Sequence, residues 1–137
     1  MGLQIISANA NRPENIEDAL QTLASERVDV AIVLQTNLLD LNSSQIGASA
    51  LEKRLPTVYG YREHVITGGL ISYGVDLRWC FRRAAYFVTK ILRGTAPSEL
   101  PIEFPTGFWL AANLQTAKSL GIIVPPTLLA RADEVVE

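Results

Sequence analysis

The sequence predicts an α/β fold built on a mainly parallel sheet, and two observations carry that prediction. Short apolar, β-branched runs alternate along the chain with longer stretches whose apolar residues recur at helical spacing. One run, Val28-Asp29-Val30-Ala31-Ile32-Val33-Leu34, is almost continuous rather than alternating. That pattern marks a strand covered on both faces, and so a three-layer α/β/α arrangement. With 137 residues, 48% apolar and 19% charged, the chain is sized for one domain, or for one lobe of a two-lobed protein, with a packed core.

Each element has its own warrant. Leu3-Gln4-Ile5-Ile6-Ser7-Ala8 is apolar and β-branched and reads as a buried first strand. After a polar turn, Pro13 suits a first helical position, where its missing N–H has no partner in any case. Ile16, Ala19, Leu20 and Leu23 then give one apolar helical face. The continuous run from Val28 follows as a strand, Gln35 to Leu41 as a loop, and Asn42 to Arg54 as a second helix. Pro56 to Gly60 is a further strand, Arg62 to Thr67 a short helix, and Leu70 to Tyr73 another strand. Leu77 to Arg93 is the clearest helix, with Phe81, Ala84, Ala85, Val88 and Leu92 along one face and Gly94 at its end. Thr95 to Pro105 reads as a proline-punctuated connector, Phe108 to Asn113 as a strand, Leu114 to Leu120 as a helix stopped by Gly121, and Pro126 to Val136 as a terminal helix.

Composition removes several classes of function. Twelve basic against fourteen acidic residues lack the basic excess of a nucleic-acid binder, and Arg78, Arg82, Arg83, Lys90 and Arg93 read as the solvated face of one helix. One cysteine, Cys80, and one histidine, His64, form neither an internal disulfide nor a zinc site, so no metal is expected. No phosphate loop, nucleophile elbow or dinucleotide fingerprint is present, so no cofactor is expected. Glu63-His64 are sequence neighbours, which on a helix point apart, and no nucleophile–base pair supports an enzyme. No apolar run approaches a membrane span, and the first residues lack the charged-then-apolar pattern of a signal peptide.

Polar residues do gather where the strands should end. In parallel α/β sheets, ligands bind outside the carboxyl ends of the strands. Those positions carry Gln35, Thr36 and Asn37 after one strand, Tyr59, Gly60, Tyr61, Arg62 and Glu63 around the end of the next, and Ser72, Tyr73 and Gly74 at a third, with Thr36, Asn37, Tyr59, Tyr61, Arg62, Ser72 and Tyr73 the candidate ligand contacts. In the binding reading, Arg62 pairs with a ligand carboxylate while a tyrosine ring stacks on its apolar part. In the structural reading, Arg62 pairs with a surface acid and the tyrosines pack against helices. The residues alone leave both open.

From Leu55 onward, Leu55-Pro56-Thr57-Val58-Tyr59-Gly60-Tyr61-Arg62-Glu63, Gly68-Gly69-Leu70-Ile71-Ser72-Tyr73-Gly74, Lys90-Ile91-Leu92-Arg93-Gly94 and the tail Pro125-Pro126-Thr127-Leu128-Leu129-Ala130-Arg131-Ala132-Asp133-Glu134-Val135 appear in a characteristic order. With Asn113 to Gly121 between them, these blocks resemble the substrate-binding proteins of ABC importers, in the group that includes tryptophan- and tyrosine-type binders. The resemblance covers only the C-terminal half of such proteins. It implies a periplasmic-binding-protein-like lobe of type I, with 1–69 and 102–137 belonging to the second lobe and 70–101 crossing to the first. By the same comparison, the first lobe and the second lobe's own first strand and helix have no counterpart here. The implied function is binding of a small solute, such as an amino acid or other carboxylate, for an importer's permease, in the periplasm or on an extracellular lipoprotein. The family commonly carries Pro-Asp where this chain has Gln35-Thr36-Asn37. The alternative is a non-binding fragment that self-associates. A homo-oligomer is expected, with the Leu77–Arg93 helix at or near the interface, because its apolar face would lack a platform; the competing outcome is that this helix folds back over its own sheet and buries Phe81 and Val88 within one chain.

Overall fold

A computed structural model of the chain describes residues 2–137. Helix α1 (Asn15–Ser25) leads into β1 (Ala31–Val33), followed by α2 (Asn37–Leu41), α3 (Ser43–Glu52), β2 (Thr57–Tyr59) and α4 (Arg62–Ile66). Then come β3 (Ile71–Val75), the long α5 (Leu77–Leu92), β4 (Phe108–Asn113), α6 (Leu114–Leu120), α7 (Pro126–Leu129) and β5 (Glu134–Val136). The five strands form one sheet in the order β1-β2-β3-β4-β5. All neighbours are parallel except β3 and β4, which pair antiparallel from Ile71 opposite Ala112 to Val75 opposite Phe108. The mixed α/β class and mainly parallel sheet are those the sequence predicts.

The core lies between the sheet and one layer of helices. Ile16 and Leu20 of α1, Ile46 and Ala50 of α3, Leu55, Ala31 and Tyr59 form its centre. Ion pairing adds to that packing: the Glu17 carboxylate of α1 accepts from Ser49 Oγ at 2.6 Å and from Lys53, at the end of α3. The bond to Lys53, with that to Ser49, holds Glu17 below its usual carboxylate range. Asn113 fastens β4 to α6 and α4 together. Its side chain accepts from Thr116 N at 2.9 Å, capping α6, and donates to Val65 O at 3.0 Å. Gly121 ends α6 at φ +73°, a left-handed conformation that glycine adopts without a Cβ penalty.

Several expectations are corrected. Among the described residues the other sheet face is not covered at β1 and β3: Ile32 is 71% exposed, Leu34 72% and Tyr73 62%. The continuous apolar run of β1 records a sequence suited to two covered faces, but the second cover is not among the described residues. Leu3 to Ala8 is extended without a strand partner. The supposed loop at 35–41 contains α2, because Thr36 Oγ1 accepts from Leu39 N at 3.2 Å and caps it. The supposed terminal helix is a single turn, α7, followed by β5. Asp133 latches that strand to β4 by donating its N–H to Leu110 O at 2.9 Å and accepting Leu110 N on its carboxylate at 2.8 Å. Helix α5 is present as read, with no buried residue along its length. Among the described residues, no helix is long and apolar enough to cross a membrane, and no three His, Cys, Asp or Glu side chains converge as metal ligands.

Candidate binding site

Because β1, β2 and β3 run parallel, their carboxyl ends share one edge of the sheet, with Val33 beside Tyr59 and Tyr59 beside Ser72. Backbone packs against backbone there with no room for side chains. A Cβ on Gly74 would stand 1.9 Å from Gly60 O, and a Cβ on Gly60 would stand 1.7 Å from Gln35 Nε2. Gln35 can swing its amide away; the Gly60 carbonyl cannot move without disturbing the sheet. The result is a flat shelf of two glycines with an amide laid across one of them.

Arg62 opens α4 at the rim of this shelf, and its guanidinium is already engaged. Nε donates to Glu134 Oε2 at 2.7 Å and Nη2 to Oε1 at 2.8 Å. That bond to Glu134 raises the Arg62 pKa, and the same bond holds Glu134 below its usual carboxylate range. The guanidinium also lies 5.9 Å from the centroid of the Trp109 ring. This bidentate geometry uses one edge of the fork and leaves Nη1 outside the pair. Of the two readings of Arg62, pairing with an acid is the one observed, and the acid comes from β5.

The hollow bounded by Gly60, Arg62, Glu63, Gly74, Asp76 and Trp109 has a volume of about 10 Å3, room for about one water. The geometry is one wall of a site rather than an enclosed pocket. A larger open groove of about 490 Å3, between α3, α4 and α6, lies at the opposite ends of these strands and is lined by neutral residues such as Leu51, Ile66 and Thr116. It offers no charged group to orient a polar solute.

The residues singled out from sequence divide three ways. Arg62 borders the hollow at the strand ends; Thr36 and Asn37 come soon after β1 in sequence and Tyr61 just after β2, with Thr36 occupied as a helix cap. Tyr59 and Ser72 point into the core, at 2% and 1% exposure. The Tyr59 ring stacks on His64 at 4.7 Å, and burial pushes its hydroxyl pKa up. Tyr73 projects from the open sheet face beside Phe108, their ring centroids 5.7 Å apart. The physical reason is the two-residue period of a strand: Ser72 and Tyr73 cannot face the same side, and neither lies at the very end of β3. His64 is structural: it is buried, with Nε2 2.9 Å from Asp40 Oδ1, and it ties α4 to α2.

Sequence reasoning places Gln35, Gly60 and Gly74 at the strand ends without giving them a role, and it misses Trp109 and Glu134. Glu134 carries no signal, because its place depends on β5, which the sequence reads as helix.

Comparison with known proteins bears on this geometry. A family model described as ABC transporter substrate binding protein matches residues 1–136. An uncharacterized protein of Rickettsia prowazekii is 27% identical over 97 residues, which is 71% of this chain and 32% of that protein. Among solved structures, a conserved domain protein from Vibrio cholerae O1 biovar El Tor superposes with a TM-score of 0.89 at 28% identity, over 98% of this chain and 45% of that one. An ABC domain from Streptococcus pneumoniae, in complex with L-Trp, gives a TM-score of 0.87 at 21% identity over 98% and 46%. The ligand-free, open form of a substrate-binding protein with adhesive properties from Clostridium difficile gives 0.71 at 19%, over 98% and 45%. The chain thus spans about a third of the curated relative and under half of each of these structures.

Proposed function

The chain belongs to the ABC transporter substrate-binding proteins, and from that premise we propose that it forms one wall of a solute site at the carboxyl ends of β1, β2 and β3. The solute is a small carboxylate such as an amino acid, passed to an importer's permease from the periplasmic or outer face of the membrane. No chemistry is performed on it. The observation that carries this reading is Arg62, held by Glu134 through Nε and Nη2 at the edge of the Gly60–Gly74 shelf. A guanidinium fixed in this way presents Nη1 to a ligand carboxylate with its rotamer already chosen, so little side-chain entropy is lost on binding. Thr36, Asn37 and Tyr61 supply neutral hydroxyl and amide partners around it, and Gln35 supplies a movable amide over Gly60. Tyr59 and Ser72 act from beneath, by fixing the strand ends. Tyr73 belongs to the opposite face and takes part only if a second lobe reaches around to it. In this reading α5, which has no buried residue, belongs with that second lobe.

Titration calorimetry with L-tryptophan and L-tyrosine, each paired with its carboxamide, tests the proposal. The acids should bind and the amides should bind at least about tenfold more weakly. Arg62→Ala should cost the acids about 1.5–3 kcal/mol, the range for a charged hydrogen bond, and leave the amides unchanged. Equal binding of acid and amide, or an Arg62→Ala variant with unaltered affinity, refutes the assignment of Arg62.

A further inference from the structure

The alternation of β4 decides what surrounds Arg62. Trp109, Ala111 and Asn113 share one face of that strand, and Asn113 reaches Val65 of α4 from it, so this is the face that α4 covers. Glu134 stands opposite Ala111 on β5, and Gly74 stands opposite Trp109 on β3. Residues paired across strands point to the same side of a sheet. Glu134 therefore shares the face of Trp109, while Gly74 puts no side chain beside the indole. Arg62, the first residue of α4, completes the group, and with Trp109 it borders the hollow at the strand ends.

Each of these three side chains suits the other two. The Arg62 guanidinium lies 5.9 Å from the indole centroid, at the outer limit of cation–π attraction. Glu134 accepts two bonds from Arg62, and an ionised carboxylate has about four acceptor sites in all. The indole N–H can only donate, and Nε1 is shut off from water without a hydrogen bond of its own. The acceptor it influences is Glu134, whose carboxyl is held below its usual range by Arg62 first and by Trp109 as a weaker donor. A buried N–H without a partner is costly, so burial itself favours the indole leaning on this carboxylate.

We propose that Trp109 is a positioning residue of the solute site: its ring backs the Arg62 guanidinium, its N–H steadies the Glu134 carboxylate, and together they hold the fork in the orientation that leaves Nη1 outside the pair. Its part in binding rests on the carboxylate reading of Arg62; the contacts themselves do not. Without the ring the guanidinium gains other rotamers, and the entropy of fixing it falls on the binding step. Only a ligand that uses Arg62 bears that loss. Trp109 therefore acts on the difference between an acid and its amide, and not on affinity in general.

Fluorescence tests the contacts without any ligand. The chain has two tryptophans, so Trp79→Phe leaves Trp109 as the sole indole emitter. As pH falls from 7 towards 3, over the range in which circular dichroism shows a folded chain, its emission should change with a midpoint below the ordinary carboxylate value of about 4.3. The change should be absent when Glu134→Gln is added. Glu63, Asp76, Arg62 and Arg78, the charged groups around Glu134, are common to both chains and cancel in the difference. Calorimetry with L-tryptophan, L-tyrosine and their carboxamides tests the positioning. Trp109→Leu should weaken the acids by about twofold to thirtyfold, the span of a cation–π contact, and leave the amides unchanged. Trp109→Phe, which restores a ring, should recover part of the loss. Emission indifferent to Glu134 overturns the proposal. So does a Trp109→Leu chain that weakens acid and amide alike, as a merely structural role would, or that weakens neither. A wild type that binds no acid refutes the carboxylate reading of Arg62 instead, and the emission response then decides by itself whether Trp109 holds the pair.

Discussion

Replacing Glu134 by glutamine is a sharp test of the site's construction, because it keeps the side-chain volume and removes the charge that holds Arg62. Two charge-assisted bonds of 2.7 and 2.8 Å are at stake, between side chains 16% and 27% exposed. A charged hydrogen bond contributes about 1.5–3 kcal/mol when protected from water, and an exposed ion pair about 0–1. At this partial burial the loss should be about 1–2 kcal/mol at pH 7. For a chain of this size that corresponds to a fall in melting temperature of roughly 3–10 °C. The effect has a pH signature. The Glu134 pKa is lowered in the folded chain, so its stabilising contribution is complete above the ordinary carboxylate value of about 4.3 and is lost as pH falls through the folded one. Urea titrations of both proteins at pH 7, 5 and 3 should therefore show a gap that is widest at neutral pH and closes in acid. Glu17 and Glu103 are also lowered, but they are common to both proteins and cancel in the difference. Coincident curves at pH 7, or a gap that persists unchanged at pH 3, would refute the reasoning.

Other expectations follow from single contacts. Gly74→Ala drives a methyl into the Gly60 carbonyl and should cost at least about 1–3 kcal/mol in a denaturant melt, whereas the nearest atoms to a Cβ on Gly60 belong to the movable Gln35 side chain and Gly60→Ala should cost less. His64→Ala removes a ring stacked on Tyr59 and bonded to Asp40; a loss of about 2–4 kcal/mol is expected, and a loss below 1 would show that α4 is held by its other contacts. Asp133→Ala strips the carboxylate from Leu110 N and should cost about 1 kcal/mol, with faster hydrogen exchange confined to β4 and β5.

The parts of the fold legible in the sequence are those fixed by local chemistry. Gly94 and Gly121 ended helices as expected, at φ +100° and +73°, and β2, β3, β4 and α5 fall where their patterns place them. What failed depended on partners distant in the chain. Leu3-Gln4-Ile5-Ile6 is a convincing strand by composition, yet composition cannot supply the neighbour a strand needs. Glu134-Val135-Val136 reads as a helix end until Asp133 is seen bonded to Leu110, twenty-three residues away. The candidate site divides along the same line. The rule about strand ends points to the edge where Arg62 borders the hollow, while the two-residue period of a strand turns Tyr59 and Ser72 into the core and Tyr73 to the opposite face. That Glu134 secures Arg62 was beyond reach of any pattern.

Helix α5 bears on how the protein unfolds. Asp76 caps its start by accepting Arg78 N at 2.9 Å, and Arg83 pairs with Glu103 while lying over the rings of Tyr86 and Phe87 at 4.2 and 5.0 Å. These ties are nearly all within the helix or to the strand of chain that follows it. A sixteen-residue helix with no buried residue stands close to the length at which isolated helices are marginal in water. Its melting is therefore uncoupled from that of the sheet: heat should take the helix first, in a broad and almost non-cooperative loss of circular dichroism, and leave the five strands to fail later in a sharper step. A protease acting near 77–105 would then cut a folded molecule, and a single midpoint fitted to the whole would average two separate events.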